Sequence, residues 1–177
     1  MKILNTVLTT VIIASMIACG GEASDQSTKK SENSTTEKQE TKEVVEETEV
    51  KEKQEVSIEL IAKGETMAEI SFEPKTLSIP ANSKVKLTFK NQSSAAGMLH
   101  NFVLVKLGTG QEVSTQGIQA GADNNFIPDN PNVLVHTKIL NMGETIEIEF
   151  DAPAKGSYHY ICTYPGHTSM IGRLNVE

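Results

Sequence analysis

The chain has 177 residues and a formal net charge of −7 at pH 7, so it has no basic surface for nucleic acid, and we exclude a nucleic-acid partner. This length suits one domain with an appendage. The chain has no tryptophan and only 5% aromatic residues, so the core of a folded domain must depend mainly on Ile, Val and Leu.

Residues 1–18 are predicted to be an export signal. Lys2 precedes an apolar run that is too short for a membrane-spanning helix and that ends in "MIACGG" around Cys19. This ending resembles the lipobox of bacterial lipoproteins, in which the signal is removed before a cysteine whose thiol is then acylated. We predict lipidation of Cys19, and hence attachment to the periplasmic or extracellular face of a bacterial membrane in the cell envelope. The alternative is an ordinary signal peptide beside an incidental cysteine.

Residues 19–55 change composition abruptly. From Gly20 to Glu55 there are 11 acidic and 6 basic residues, no aromatic residue and few apolar residues other than valine. Such a segment cannot bury enough surface to offset its ordering entropy. We predict a disordered charged tether that connects the anchor to a folded domain over residues 56–177.

Short β-strands are predicted from residue 56 onwards. Val85, Leu87 and Phe89 alternate with lysines, and "ETIEIEFDAP" alternates equally strictly, which is typical of an antiparallel sheet packed on one face. Seven to eight such strands in about 120 residues indicate an all-β, Greek-key β-sandwich. Residues 108–133 lack this alternation and are rich in Gly, Asn and Pro, so we predict a flap insertion with a short helix around Glu112–Ile118.

The C-terminal region places soft metal donors close together. Cys162, His167 and Met170 form a C-x4-H-x2-M pattern, and lipidation of Cys19 would leave Cys162 without a disulfide partner. His100 begins an apolar strand whose end could meet this pattern at one pole of a sandwich. Two imidazoles, a thiolate and a weak thioether suit copper, whereas a structural zinc site more often uses several cysteines. Alternatively, Cys162 is a buried inert thiol and Met170 fills the core.

Two other histidines, His136 and His159, are predicted to be surface residues without a metal role. His159 alternates with Tyr158 and Tyr160, so it faces solvent if the tyrosines face the core. His136 lies between a strand and a turn.

"CTYPGH" and "MLHNFVLV" resemble the corresponding segments of azurins and auracyanins, which are small blue-copper electron carriers with the cupredoxin fold. The resemblance covers roughly residues 56–177. It implies one type 1 copper per chain and electron transfer rather than an enzymatic activity. Copper carriage or storage on the same fold is the alternative function. Copper enzymes of this fold need further histidines, and a Cys–His nucleophile is the remaining enzymatic alternative.

The same resemblance implies roles for individual residues. His100, Cys162 and His167 would be equatorial copper ligands, with Met170 as the axial ligand. The ligand loop has two residues between His167 and Met170, where azurins usually have three, and Leu99 replaces a glycine whose backbone carbonyl lies near copper. Asn101 would tie the His100 strand to the cysteine loop at Thr163. Redox partners, such as cytochromes or membrane oxidoreductases, would dock on an apolar patch around an exposed edge of His167, formed by Met67, Met98, Pro165 and Gly166.

Overall fold

A computed structural model describes residues 53–177, so the predicted signal peptide, Cys19 and nearly all of the predicted tether lie outside the described residues. The strands are β1 (Glu55–Lys63), β2 (Ser71–Glu73), β3 (Thr76–Ile79), β4 (Lys84–Asn91), β5 (Val103–Lys106), β6 (Val133–His136), β7 (Thr145–Asp151), β8 (Gly156–Ile161) and β9 (Ile171–Val176). An α-helix, α1 (Gly110–Ala120), and a 3-10 turn (Ala122–Asn124) lie between β5 and β6. No helix within residues 53–177 has the length and hydrophobicity needed to cross a membrane.

The strands form a β-sandwich of two sheets. One sheet has the order β2-β1-β4-β7 and the other β3-β9-β8-β5-β6. The alternation in β4 separates a buried face from an exposed one, as expected. Val85, Leu87 and Phe89 are fully buried, while Lys84 and Lys86 are exposed. Aromatic side chains link strands across the core, with Phe72 against Tyr160 in an edge-on contact at 5.2 Å between ring centroids. The predicted all-β sandwich is therefore confirmed.

The sheets are mixed, which corrects the expectation of antiparallel pairing around β4. β4 pairs antiparallel with β7 but parallel with β1, and β3 pairs parallel with β9. Side chains alternate with a period of two in both pairings, so the pattern reveals the buried face and not the strand direction. Within the described residues there are nine strands instead of seven or eight, and the short strands β2 and β3, on either side of Pro74, lie in different sheets.

The flap insertion contains the predicted helix, which is longer than expected at both ends. Val113 of α1 packs with Val103 and Val105 of β5 and with Ile161 of β8 in a second apolar cluster. The helix thus covers the outer face of the second sheet. Its C-terminal end leads into the turn at residues 121–126, close to the end of β8.

Candidate metal centre

Antiparallel pairing of β5 with β8 brings His100 and Cys162 to the same end of the second sheet. Val103 is opposite Ile161, so the residues before β5 lie beside those that follow β8. His100 is held by two backbone hydrogen bonds to Leu140, one donated in each direction, at 3.2 and 2.7 Å. The strand pairing therefore joins two parts of the chain that are 62 residues apart.

His100, Cys162 and His167 form a compact group whose candidate ligand atoms all lie within 4.8 Å of one another. The sulfur of Cys162 is 3.9 Å from Nδ1 of His100 and 3.5 Å from Nδ1 of His167. Ligand bonds of about 2.0 Å to nitrogen and about 2.3 Å to sulfur would place the donors of a shared ion roughly 3.5–4 Å apart. The donor spacing therefore fits a single metal ion.

The three donor residues are all fully buried, and burial sets their protonation. Burial, with His167 nearby, lowers the pKa of His100 to about 4, and burial also lowers the pKa of His167. Burial raises the pKa of the Cys162 thiol to about 11, against the opposing effect of the backbone N–H groups of Asn101 and Tyr164. Near neutral pH both imidazoles are therefore uncharged and ready to bind a metal, whereas the thiol must release a proton when it binds.

The turn between β8 and β9 carries the remaining predicted ligands. The backbone N–H of His167 donates to the carbonyl of Tyr164 at 3.0 Å, and that of Met170 donates to the carbonyl of His167 at 2.8 Å. Gly166 supplies the positive φ of 86° that this tight turn requires. Met170 is 1% exposed and packs in the main core. These contacts fix the backbone of Met170, and its axial role stays a prediction.

Asn101 and Thr163 join the two ligand-bearing segments by reciprocal hydrogen bonds. Nδ2 of Asn101 donates to Oγ1 of Thr163 at 2.8 Å, and the backbone N–H of Thr163 donates to Oδ1 of Asn101 at 2.9 Å. Both residues are buried, so this pair couples the position of His100 to that of Cys162. Leu99 is half-buried and its N–H donates to the carbonyl of Gly97, while the role of its own carbonyl stays a prediction.

The flap contributes to this end of the molecule, which the sequence reasoning missed. Nδ2 of Asn101 also donates to the backbone carbonyl of Asn125 at 3.0 Å, and Phe126 packs edge-on against Tyr164. Asn125 and Phe126 both have positive φ, 53° and 57°, a rare conformation for non-glycine residues that the surrounding contacts must stabilise. The "NNF" sequence after Gly121 was the available signal, since asparagine tolerates this conformation.

His167 has no exposed edge, which corrects the expectation of one. The residue is 0% exposed, and its Nε2 is buried without a hydrogen-bond partner. Met67, which is 48% exposed, lies over the adjacent turn so closely that a Cβ atom on Gly166 would overlap its methyl group. The loop between β1 and β2 therefore packs against the turn that carries His167, a contact between distant segments that no local pattern predicts.

The other residues of the predicted patch lie at or near the surface. Pro165 and Gly166 are exposed, and Met98 is half-buried against the main core. His136 is exposed at the end of β6, and His159 is half-buried within β8. Neither of these two histidines belongs to the donor group.

Comparison with known proteins gives the family of this chain. A profile of copper-binding proteins, the plastocyanin/azurin family, matches residues 62–177. The chain belongs to this family. It is 38% identical to auracyanin-A from Chloroflexus aurantiacus over 126 residues, which cover 69% of this chain and 75% of that protein. It is 35% identical to azurin iso-2 from Methylomonas sp. strain J over 125 residues, which cover 66% of this chain and 95% of that protein.

Solved structures agree with the sequence relatives. The fold matches auracyanin A from Chloroflexus aurantiacus, described as a "blue" copper protein, with a TM-score of 0.62 and 37% identity. The match covers 70% of this chain and 99% of that one. In this cupredoxin, two buried imidazoles and a thiol provide the donor set of a type 1 copper centre. His100, Cys162 and His167 are thus positioned as ligands of one copper ion.

Proposed function

We propose that this cupredoxin transfers single electrons as a blue copper protein and is attached to a membrane through Cys19. The observation that carries the proposal is the fully buried group of His100, Cys162 and His167, with its donor atoms within 4.8 Å of one another. Copper bound there would alternate between its +1 and +2 states. The family membership and the auracyanin and azurin relatives support this reading.

The surroundings of the donors suit electron transfer because they restrict movement and exclude water. His100 is fixed by its bridge to Leu140, and Cys162 by the pairing of Asn101 with Thr163. A site held in this way changes little between oxidation states, and its outer hydrogen bonds tune the reduction potential. The burial of all three donors also disfavours rapid metal release, which would be expected of a copper carrier.

A visible absorption spectrum of the copper-loaded, oxidised protein tests the proposal. We expect an intense charge-transfer band from the Cys162 sulfur to Cu(II), and reversible loss of this band on one-electron reduction. Cys162→Ser should abolish the band even where copper still binds. A colourless wild-type protein with stoichiometric copper would contradict the proposal. Rapid copper transfer to a weak chelator would favour the carrier or storage alternative.

Electrons would enter and leave near His167, through the surface formed by Met67, Met98, Pro165 and Gly166. This surface would fit a redox protein, such as a cytochrome or a membrane oxidoreductase. Weak redox encounters bury less than about 1,200 Å² in total, so an apolar patch of this kind is sufficient. Met67 is 48% exposed and its methyl group lies against Gly166, so a partner docked on this surface would contact the Met67 thioether.

Charge substitutions test the docking surface. Met67→Lys and Met98→Lys should slow electron transfer to a cytochrome acceptor at unchanged reduction potential, because each would place a desolvated charge in the interface. Leu134→Lys is the matched control, since Leu134 is an exposed apolar residue of β6. Equal rates for all three variants and the wild type would show that partners dock elsewhere.

Membrane attachment has a separate test in the two cysteines. Cys19→Ser should move the protein from the membrane fraction to the soluble fraction of the cell envelope. Cys162→Ser should leave it in the membrane fraction, because that thiol is buried at the copper site. Continued membrane association of the Cys19→Ser protein would refute the lipid anchor and leave the copper chemistry unaffected.

A further inference from the structure

The outer ring nitrogen of His100 faces a buried serine. Oγ of Ser93 lies 3.5 Å from Nε2 of His100, on the side of the ring opposite the Nδ1 atom that faces Cys162. Ser93 is 2% exposed and His100 is fully buried. The same hydroxyl donates to the backbone carbonyl of Gly64 at 2.8 Å. Ser93 therefore stands between a ligand histidine and the loop that follows β1.

The hydrogen bonds of the Ser93 hydroxyl determine which ring nitrogen of His100 carries the hydrogen. A serine hydroxyl has one hydrogen, and here Ser93 gives it to the carbonyl of Gly64. Towards His100 the hydroxyl can therefore only accept, so Nε2 of the neutral ring carries the hydrogen. This tautomer leaves the lone pair of Nδ1 directed towards the metal site, as a histidine ligand requires.

Further contacts hold Ser93 in this position. Its backbone N–H donates to Oδ1 of Asn91 at 3.1 Å. The carboxylate of Glu65 accepts hydrogen bonds from the backbone N–H groups of Ser94 at 3.0 Å and Ala95 at 2.6 Å. Gly64 itself is obligatory, because it has a φ of 119° and a Cβ atom there would lie 2.6 Å from the backbone nitrogen of Ile70. The loop that follows β1 and the loop that follows β4 are thus hydrogen-bonded to each other beside Nε2 of His100.

We propose that Ser93 is a positioning residue for the copper site. Its hydroxyl bridges His100 to the Gly64 carbonyl and so fixes both the tautomer and the orientation of this ligand. The loop that receives the bridge also carries Met67 against Gly166, so the same segment contacts both ligand-bearing parts of the site. The proposal rests on the copper-binding role of His100, and it does not depend on which partner exchanges electrons with the protein.

Removal of the hydroxyl should weaken copper binding. In Ser93→Ala, the Nε2 hydrogen of a fully buried ring loses its acceptor, and the preference for the metal-binding tautomer is lost. Loss of such an outer partner of a metal-bound histidine typically lowers metal affinity 10–100-fold. We expect a change of that size, together with a shift of the reduction potential.

Ser83→Ala is the matched control. Ser83 is also fully buried, and its hydroxyl donates to the backbone carbonyl of Pro80 at 2.7 Å, but it contacts no copper ligand. Both variants lose one buried hydroxyl–carbonyl bond, so both should lose comparable stability. Only Ser93→Ala should change copper affinity, measured by competition with a chelator, and the reduction potential.

Nitrogen-15 NMR of the metal-free wild-type protein tests the tautomer without copper. We expect His100 to be protonated at Nε2, and Ser93→Ala to give a mixture of tautomers. Protonation of His100 at Nδ1 in the wild type would overturn the proposal, as would identical copper affinities for Ser93→Ala and Ser83→Ala. If Ser93→Ala does not fold, the ring nitrogen at which His100 is protonated in the wild-type protein decides by itself whether the proposal holds. A colourless copper complex would refute the blue copper function, while the tautomer measurement would still decide the role of Ser93.

Discussion

At the scale of single residues, burial sets the chemistry of the three donors. It keeps His100 and His167 uncharged and keeps the Cys162 thiol protonated at neutral pH. The thiolate therefore forms when copper binds, and the N–H groups of Asn101 and Tyr164 that favour the charged form are already in place. Copper binding should therefore release the proton of the Cys162 thiol.

Copper affinity should therefore increase with pH. Above about pH 7, where both histidines are neutral, and below the thiol pKa of about 11, binding releases one proton and the association constant should rise about tenfold per pH unit. Below the pKa of His100, about 4, additional protons compete and the dependence should become steeper. Chelator competition at several pH values, with a pH indicator to count released protons, measures the slope. The pH-dependent step should be absent in Cys162→Ser, and a flat wild-type profile would contradict the assignment of the thiol.

At the scale of elements, α1 and the turn after it pack against Thr163 and Tyr164, which follow Cys162. Gly117 lies where the helix meets both the flap and Thr163. A Cβ atom at this position would lie 2.5 Å from the backbone oxygen of Phe126 and 3.1 Å from Cβ of Thr163. The missing side chain thus allows the flap to reach Asn101 through the carbonyl of Asn125.

Gly117→Ala should destabilise the protein although alanine has the higher helix propensity. The propensity gain is about 1 kcal/mol, and we expect overpacking against backbone to exceed it, for a net loss of about 1–2 kcal/mol. Urea unfolding measures the change, and the copper absorption band should shift because Thr163 adjoins Cys162. Thr115→Ala, on the exposed face of α1, is the control and should be nearly neutral. If Gly117→Ala is as stable as the wild type or more stable, the flap backbone at Phe126 can shift to accommodate the added methyl group.

At the scale of the whole molecule, the copper site is formed by parts of the chain that are remote in sequence. His100 precedes β5, Cys162 and His167 lie between β8 and β9, and Ser93 connects His100 to the loop after β1. Because its three ligands come from segments this far apart in sequence, copper should bind the folded domain much more tightly than the unfolded chain. Its binding free energy therefore adds to the free energy of unfolding.

Copper loading should raise the thermal unfolding temperature. At a free copper concentration about 1,000 times the dissociation constant, the stabilisation is about 4 kcal/mol. Thermal unfolding of the metal-free and loaded proteins measures the increment. Cys162→Ser should retain only a small part of it, since one donor is replaced by a poorer ligand. Equal unfolding temperatures with and without copper would mean that the site does not link these elements in solution.

Several features of the fold and site were predictable because they depend on near neighbours. The two-residue alternation in β4 and β7 identified their buried faces, and the composition of the flap indicated a helix within it. Strand direction was not predictable, and the parallel pairing of β1 with β4 differs from expectation. Alternation is the same in both directions, so only the connections between strands distinguish them.

By itself, the sequence determined which donors are available and how Cys162, His167 and Met170 are spaced on one turn. Tertiary structure decided that Met67 packs against Gly166, that Ser93 faces His100 and that Asn125 reaches Asn101. The reason is the short range of hydrogen bonds and van der Waals contacts. These forces act over a few ångströms of space whatever the separation along the chain, so the environment of the site appears only when the loops are packed together.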